Sequence, residues 1–369
     1  MTTTCKPLKL LNKLPALIGH AGGGNVLIGV LGSLEFNLKG SPFPGWSTAE
    51  SRHTVAETLL GTLRKMRRRR WVFAAEMPEL SQEERLLLME RGQLTGAMAA
   101  RQDGVHVLIN DEQDTECFIN DEEHCLVQTF FPGEGALAQA HEEMSRLLAD
   151  FVKKLPIAHD AIFGYLSCDP AKGGEALFFS ALLYLPGLRL TRHMSRVQEA
   201  LDELGLFLSP IFPAQKKDEG DLYLLHSPAA MAGKLEMALS TMRLALDNLV
   251  RQELYARSRL LEAPKTATRV REGIIGACKL LLQAEKLKYR ELLSALSMLR
   301  LGMYYGFVRA EAAPAEVAEA LSRAFVENAP VHMLYARHLT KPRDRRRARA
   351  LYARELMERT LRVSTAFPL

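Results

Sequence analysis

The sequence predicts an α+β protein: an antiparallel sheet flanked by helices, followed by an all-α C-terminal domain. Three observations carry this expectation. Apolar, β-branched runs of strand length are mixed with segments of helical periodicity, without the strict strand–helix–strand alternation that builds a parallel sheet. From residue 262 onward only helical spacing remains. The 369 residues, 47% hydrophobic and 25% charged, match folded proteins in general and leave room for two domains, which argues against disorder, collagen and low complexity.

Residues 1–24 read as a peripheral arm ending in Gly22-Gly23-Gly24. The triplet has no G-K-[ST] or G-x-G-x-x-G context, so a plain turn is preferred to a phosphate loop. Segments 26–38, 104–110, 162–166 and 178–185 read as strands, the last two buried. Helices are expected over 49–70, with Ser47-Thr48 as the capping region. They are expected also over 135–154, where Leu137, Met144, Leu147, Leu148 and Phe151 recur at helical spacing, and over 193–204 and 229–260. Residues 262–266, Glu-Ala-Pro-Lys-Thr, read as a linker, and helices follow over 267–286, 289–307, 314–326 and 342–362. The organisation expected is thus an arm, 1–24, a mixed domain, 25–261, and a helical domain, 262–369.

Five cysteines, odd in number and without a C-x-x-C pair, disfavour a disulfide framework and a zinc site. The ten histidines show no metal-binding spacing, so no metal is expected. No apolar run reaches the roughly 20 residues that span a bilayer, and the first residues lack a signal-peptide core. A cytoplasmic protein without membrane insertion is expected. The net charge of +5 is too small to define a partner by itself, so the local basic runs matter more. Residues 64–71, Arg-Lys-Met-Arg-Arg-Arg-Arg-Trp, end a predicted helix, where cations suit the dipole, and Trp71 is expected to anchor the next strand. Residues 343–349 form a second run. Either is open to reading as a solvated face or an anion patch. A nucleic-acid role is the weaker alternative, because no aromatic stacking platform accompanies them.

Several stretches together resemble the guanidino (phosphagen) kinases, and within them the bacterial protein-arginine kinases. Ile119-Asn120-Asp121-Glu122-Glu123-His124-Cys125-Leu126 resembles the family's I-N-E-E-D-H-L-R. Residues 164–170, Gly-Tyr-Leu-Ser-Cys-Asp-Pro, with Leu185-Pro186, resemble G-Y-L-T-x-C-P and L-P. Residues 296–302 and 343–348 resemble the helical domain that the bacterial enzymes add. The resemblance implies a guanidino-kinase-like sheet and ATP-dependent phosphoryl transfer to a guanidinium. That chemistry needs arginines around the phosphates with Mg²⁺, and carboxylates to hold and deprotonate the guanidinium.

Carried over position by position, the family's charged residues are mostly missing. The two arginines of its S-x-R-x-R strand fall on Leu31 and Ser33, and three further arginines on Leu126, Phe178 and Ser209. The reactive cysteine falls on Asp169, next to Cys168. The second catalytic carboxylate falls on Ala214, while Glu122 matches the first. A charge-assisted phosphate contact contributes about 1.5–3 kcal/mol, so these losses imply a pseudokinase with no expected cofactor. Lys216 and Lys217 lie in a solvated run and offer point charges where the family uses planar forks. Glu122 and His124 would be vestigial, His124 a hydrogen-bonded structural residue. Glu253 and Arg257, matching a family E-x-x-A-R helix, read as an ordinary i,i+4 pair.

The family's phosphoarginine-binding R-D-x-x-R is matched by Arg343, Asp344 and Arg347, whose spacing puts both arginines on one helix face. The resemblance therefore implies a regulatory or scaffold protein that binds phosphoarginine-marked proteins. Its partners would be a zinc-binding activator-type protein, a Clp-type unfoldase, an active paralogue or a second copy in a dimer. The alternatives are an active divergent protein-arginine kinase using Mg-ATP, and a nucleic-acid-associated protein.

Overall fold

A computed structural model describes residues 7–66, 69–100, 103–211 and 220–363. The strands in chain order are β1 (Leu27–Phe36), β2 (Trp71–Glu76), β3 (His106–Asn110), β4 (Thr115–Ile119), β5 (Cys125–Pro132), β6 (His159–Asp160), β7 (Gly164–Tyr165), β8 (Leu177–Tyr184), β9 (Phe207–Pro210), β10 (Leu222–His226), β11 (Val308–Ala310) and β12 (Leu361–Val363). Eight of them form one antiparallel sheet in the order β2-β3-β4-β5-β1-β8-β10-β9. The helices are α1 (Ala16–Gly19), α2 (Ala49–Lys65), α3 (Gln82–Glu90), α4 (Gly96–Ala99), α5 (Ala136–Val152), α6 (Pro186–Leu190), α7 (Met194–Asp202), α8 (Leu235–Glu262), α9 (Pro264–Gln283), α10 (Tyr289–Tyr304), α11 (Pro314–Glu327), α12 (Pro330–Arg337) and α13 (Pro342–Thr360). The predicted α+β class with a helical C-terminal region is the observed one. Among the described residues no helix is long and apolar enough to cross a membrane.

The chain divides into two compact units, one of residues 1–17, 29–181 and 226–244, the other of 18–28, 182–225 and 245–369. In the first, one face of β2–β5 carries Phe73, Val107, Ile109, Phe118 and Leu126, which pack with Leu10, Leu88 and Met98 in one core. The opposite face packs on α5, whose Leu137, Met144, Leu147, Leu148 and Phe151 are all buried, as their spacing predicts. Phe36 meets Phe151 at 4.9 Å between ring centroids. Gly32 allows this approach, since a Cβ there would lie 2.9 Å from Met144 and 3.2 Å from Ala140. Gly32→Ala is therefore expected to destabilise by about 1–3 kcal/mol. Gly61→Ala in α2, where nothing stands within 4 Å, is expected to be neutral or stabilising by up to about 1 kcal/mol. Urea midpoints of the two variants check the contrast.

The N-terminal segment is more than a peripheral arm. Leu10 is fully buried, and the Arg91 guanidinium donates to the carbonyls of Leu10 and Lys13, both at 2.9 Å. In the second unit Gly22 lies so close to α11 that a Cβ would overlap the Ala318 carbonyl. Its N–H donates to Ser322 Oγ at 2.8 Å, and Gly23 accepts from Arg300. The glycine triplet thus serves close packing.

Other boundaries also differ from expectation. Helix α2 is capped by Thr48, which accepts from the Ser51 N–H at 3.2 Å, but it stops at Lys65 rather than 70. Arg69 has turned to the sheet, donating to Thr115, Thr129 and Glu143 at 3.3 Å each. The expected buried strand over 162–166 is the exposed tip and arm of the β6–β7 hairpin, with Ile162 78% and Phe163 67% exposed. Asp160 Oδ1 accepts from both of their N–H groups, fixing a turn where apolarity alone suggested a strand. The linker is a single residue, Ala263, between α8 and α9. The region beyond is not purely helical, because β11 pairs antiparallel with β12, and α12 falls where no helix was expected.

Candidate functional site

Sheet register brings together four of the positions that the family resemblance aligns with arginines. Along β1 and β5, Leu31 stands opposite Phe130, Ser33 opposite Gln128 and Glu35 opposite Leu126. Opposed residues share a face and alternate residues on a strand do too, so Leu31, Ser33, Glu35 and Leu126 lie on one side. On β8, Phe179 packs edge-on against His141 of α5, the element covering the other side. Its neighbour Phe178 therefore faces the same way as Leu31 and Ser33. None of these four family positions carries a cation, and Glu35 among them is an acid. A nucleotide triphosphate needs convergent positive charge, and this set of side chains does not supply it.

The carboxylates come from the turn between β4 and β5. Asn120 sits there at φ 58°, a left-handed conformation Asn tolerates, and its N–H donates to the His124 carbonyl at 3.0 Å. The tight turn separates its two glutamates. Glu122 is half-exposed and meets Lys172 Nζ at 2.8 Å. Glu123 is buried and accepts from the Asn37 amide, from Ser167 Oγ at 2.5 Å and from the Cys168 N–H at 3.2 Å. Cys168 Sγ lies 3.2 Å from Glu123 Oε1, and burial first, then this carboxylate, pushes its thiol up to about 12. That is the opposite of an activated thiolate. Asp169 caps the following turn, accepting from the Ala171 N–H at 2.9 Å.

His124 has both ring nitrogens engaged. Nδ1 accepts from the Leu38 N–H and Nε2 faces the Pro42 carbonyl, each at 2.9 Å, so the proton resides on Nε2. Burial holds its pKa below the usual value. It is a structural histidine.

Glu35, Glu123 and Lys172 are functional-face residues that motif matching does not single out. Glu123 was legible in principle, standing beside Glu122 in the same motif. Glu35 was not, since only register places it opposite Leu126. Burial raises its pKa to about 7; Lys172 opposes that, and Glu123, Glu122 and Asp121 add to it.

The remaining predicted positions lie elsewhere. Ser209 is in β9, in the second unit, and Ala214, Lys216 and Lys217 fall outside the described residues, as do Arg67 and Arg68. Arg70 is exposed and lies 3.7 Å from Asp111. On α13, Arg343 and Arg347 are exposed and Asp344 half-buried in the first turn, where an acid suits the helix dipole. Their neighbours serve the fold. Arg345 donates to the Leu339 and Thr340 carbonyls, and buried Arg349 to those of Asn328 and Leu287. Among the described residues the basic run is thus partly structural, through Arg345 and Arg349, and partly exposed.

Glu253 and Arg257 are not an ordinary surface pair. Both side chains are essentially fully buried and joined at 2.6 Å. Glu253 also accepts from the N–H groups of Gly187 and Leu188 at 2.8 Å, capping α6.

This architecture is that of the guanidino kinases. The chain superposes on a duplicated taurocyamine kinase from Schistosoma mansoni with a TM-score of 0.57 at 20% identity, covering 78% of this chain and 40% of that one. On a lombricine kinase the TM-score is 0.53 at 17% identity, with 67% and 72% covered. The family model for the ATP:guanido phosphotransferase C-terminal catalytic domain matches residues 55–256, and the chain belongs to that family. Among its relatives are the protein-arginine kinases of Halothermothrix orenii, 27% identical over 278 residues (74% of this chain, 78% of that one), and Brevibacillus brevis, 26% identical over 292 residues (79% and 81%).

Proposed function

We propose that this chain is a catalytically silent homologue of the protein-arginine kinases, a pseudokinase acting in the cytoplasm as a regulatory or scaffold protein. The observation that carries this reading is the sheet face on which Leu31, Ser33, Leu126 and Phe178 stand beside Glu35. Neutral and acidic side chains there oppose binding of a triphosphate and leave transition-state charge unmet. On this reading the chain needs no cofactor. Its helical region, residues 262–369, is the docking module, and the exposed Arg343 and Arg347 with Asp344 receive phosphoarginine on a protein. Suitable partners are an active paralogue, a zinc-binding activator-type protein, a Clp-type unfoldase or a second copy.

One experiment tests both halves. Thermal unfolding is followed with Mg·ATP and, separately, with free phosphoarginine. A ligand present at about 100 times its Kd stabilises by about 2.7 kcal/mol, so nucleotide binding at micromolar affinity is easily seen at millimolar concentration. The expected result is no saturable shift with Mg·ATP, and a shift with phosphoarginine that Arg343→Ala with Asp344→Ala abolishes. Saturable nucleotide stabilisation together with phosphate on substrate arginines would establish the active divergent kinase instead. A phosphoarginine shift unchanged by the double variant would remove the pocket.

A further inference from the structure

The first unit holds a cavity of about 230 Å³ between the end of α2, the start of β2 and helix α5. It lies on the α5 side of the sheet, away from the face that carries the degenerate family positions. Leu63, Val127, Leu147 and Phe151 make its apolar wall, each at most 5% exposed. The half-buried Trp71 ring also lines it. At the mouth stand Lys65, Lys154 and Asp150, none of which has an ion pair among the described residues, whereas Arg69 and Glu143 neutralise each other at 3.3 Å.

Size and chemistry together define a ligand class. An apolar cavity of roughly 150 Å³ takes a benzene molecule, so this one has room for a single ring and a short polar tail. The unpaired charged groups at the mouth, among the described residues, are two ammonium groups against one carboxylate. That balance favours an acceptor carrying negative charge over a neutral or cationic ligand. We propose that this cavity is a binding site for a small monocarboxylic acid with a one-ring or branched apolar body. The body packs on the Leu63–Phe151 wall and the Trp71 ring, and the carboxylate pairs with the two lysines at the mouth. The site is independent of the pseudokinase reading, since none of its lining residues is a family position.

The chain has two tryptophans, and Trp46 is 76% exposed and stacked edge-on with Phe43. In the full-length Trp46→Phe variant, Trp71 reports the cavity alone. Its emission is titrated with phenylacetate, phenylacetamide and phenethylamine. The expected result is a saturable change with phenylacetate, at least about tenfold weaker binding of the amide and amine, and about tenfold weaker phenylacetate binding with Lys65→Met plus Lys154→Met. Both lysines are exposed, so these variants keep the fold, which an unchanged urea midpoint verifies. No saturation by phenylacetate at about 10 mM, or equal binding of acid and amine, overturns the proposal.

Discussion

Glu253→Ala is expected to destabilise the protein by about 3–5 kcal/mol, the range found when one partner of a buried ion pair is removed. The loss has two parts. Arg257 would keep its charge with no counter-ion while nearly fully buried, and the N–H groups of Gly187 and Leu188 at the start of α6 would lose their acceptor. Among the described residues Arg257 would retain the Tyr184 carbonyl at 3.2 Å and cation–π contacts with Tyr184 and Tyr304. A suitable contrast is Arg323, which pairs with Glu319 and Glu327 at the surface. Arg323→Ala is expected to change stability by no more than about 1 kcal/mol. Urea unfolding of both variants decides the matter: equal midpoint shifts would mean that Glu253 and Arg257 behave as a solvated pair. The double variant Glu253→Gln, Arg257→Met is expected to recover part of the loss, because it leaves no unpaired charge in the interior.

Glu35→Gln is expected to stabilise the protein above neutral pH and to leave it nearly unchanged in mild acid. The carboxyl has a folded-state pKa of about 7 against 4.5 for the free group, raised chiefly by burial. Between those values the folded chain holds a proton that the unfolded chain has released, so stability falls as pH rises through this window. The full shift corresponds to about 3 kcal/mol. The penalty is absent near pH 4, complete by about pH 8, and removed by the amide. Glu116, raised by burial to about 8, acts in the same direction, so the variant retains part of the parent's slope. Chemical denaturation at pH 5 and pH 8 measures both effects, and a variant that tracks the parent at both pH values would place Glu35 in solvent. The same substitution removes a negative charge from the face where the family resemblance would place a nucleotide's phosphates. If Mg·ATP binding then appears, Glu35 itself opposes nucleotide binding at this face.

The spacing of Leu137, Met144, Leu147, Leu148 and Phe151 specified α5 and its buried side, because a helix repeats every 3.6 residues and its contacts are written locally. Thr48 likewise marked the start of α2. The stop of α2 was not legible, since Arg69 leaves the helix for partners on β4, β5 and α5. Ile162 and Phe163 are apolar yet exposed for a related reason: Asp160 folds the segment into a turn, which apolar character alone does not reveal. Among site residues, Glu122 and His124 could be found by motif, but motif could not reveal how Glu123 differs from its neighbour. Whether each glutamate points to solvent or into a nest of Asn37, Ser167 and Cys168 donors depends on segments far apart in the chain.

By itself the sequence determined the fold class and the family resemblance, and it supplied the side chains that this resemblance aligns with the family's arginines. Those properties reside in local periodicity and in short motifs. The tertiary structure decided which of these positions act together. Strand pairing put Leu31, Ser33, Leu126 and Phe178 on one face and added Glu35 to them, and burial turned the Glu253–Arg257 pair from a helix-surface ornament into an internal cap. The physical reason is the same in each case: register, burial and local dielectric are set by contacts between residues distant in sequence, and they fix what a charged side chain can do.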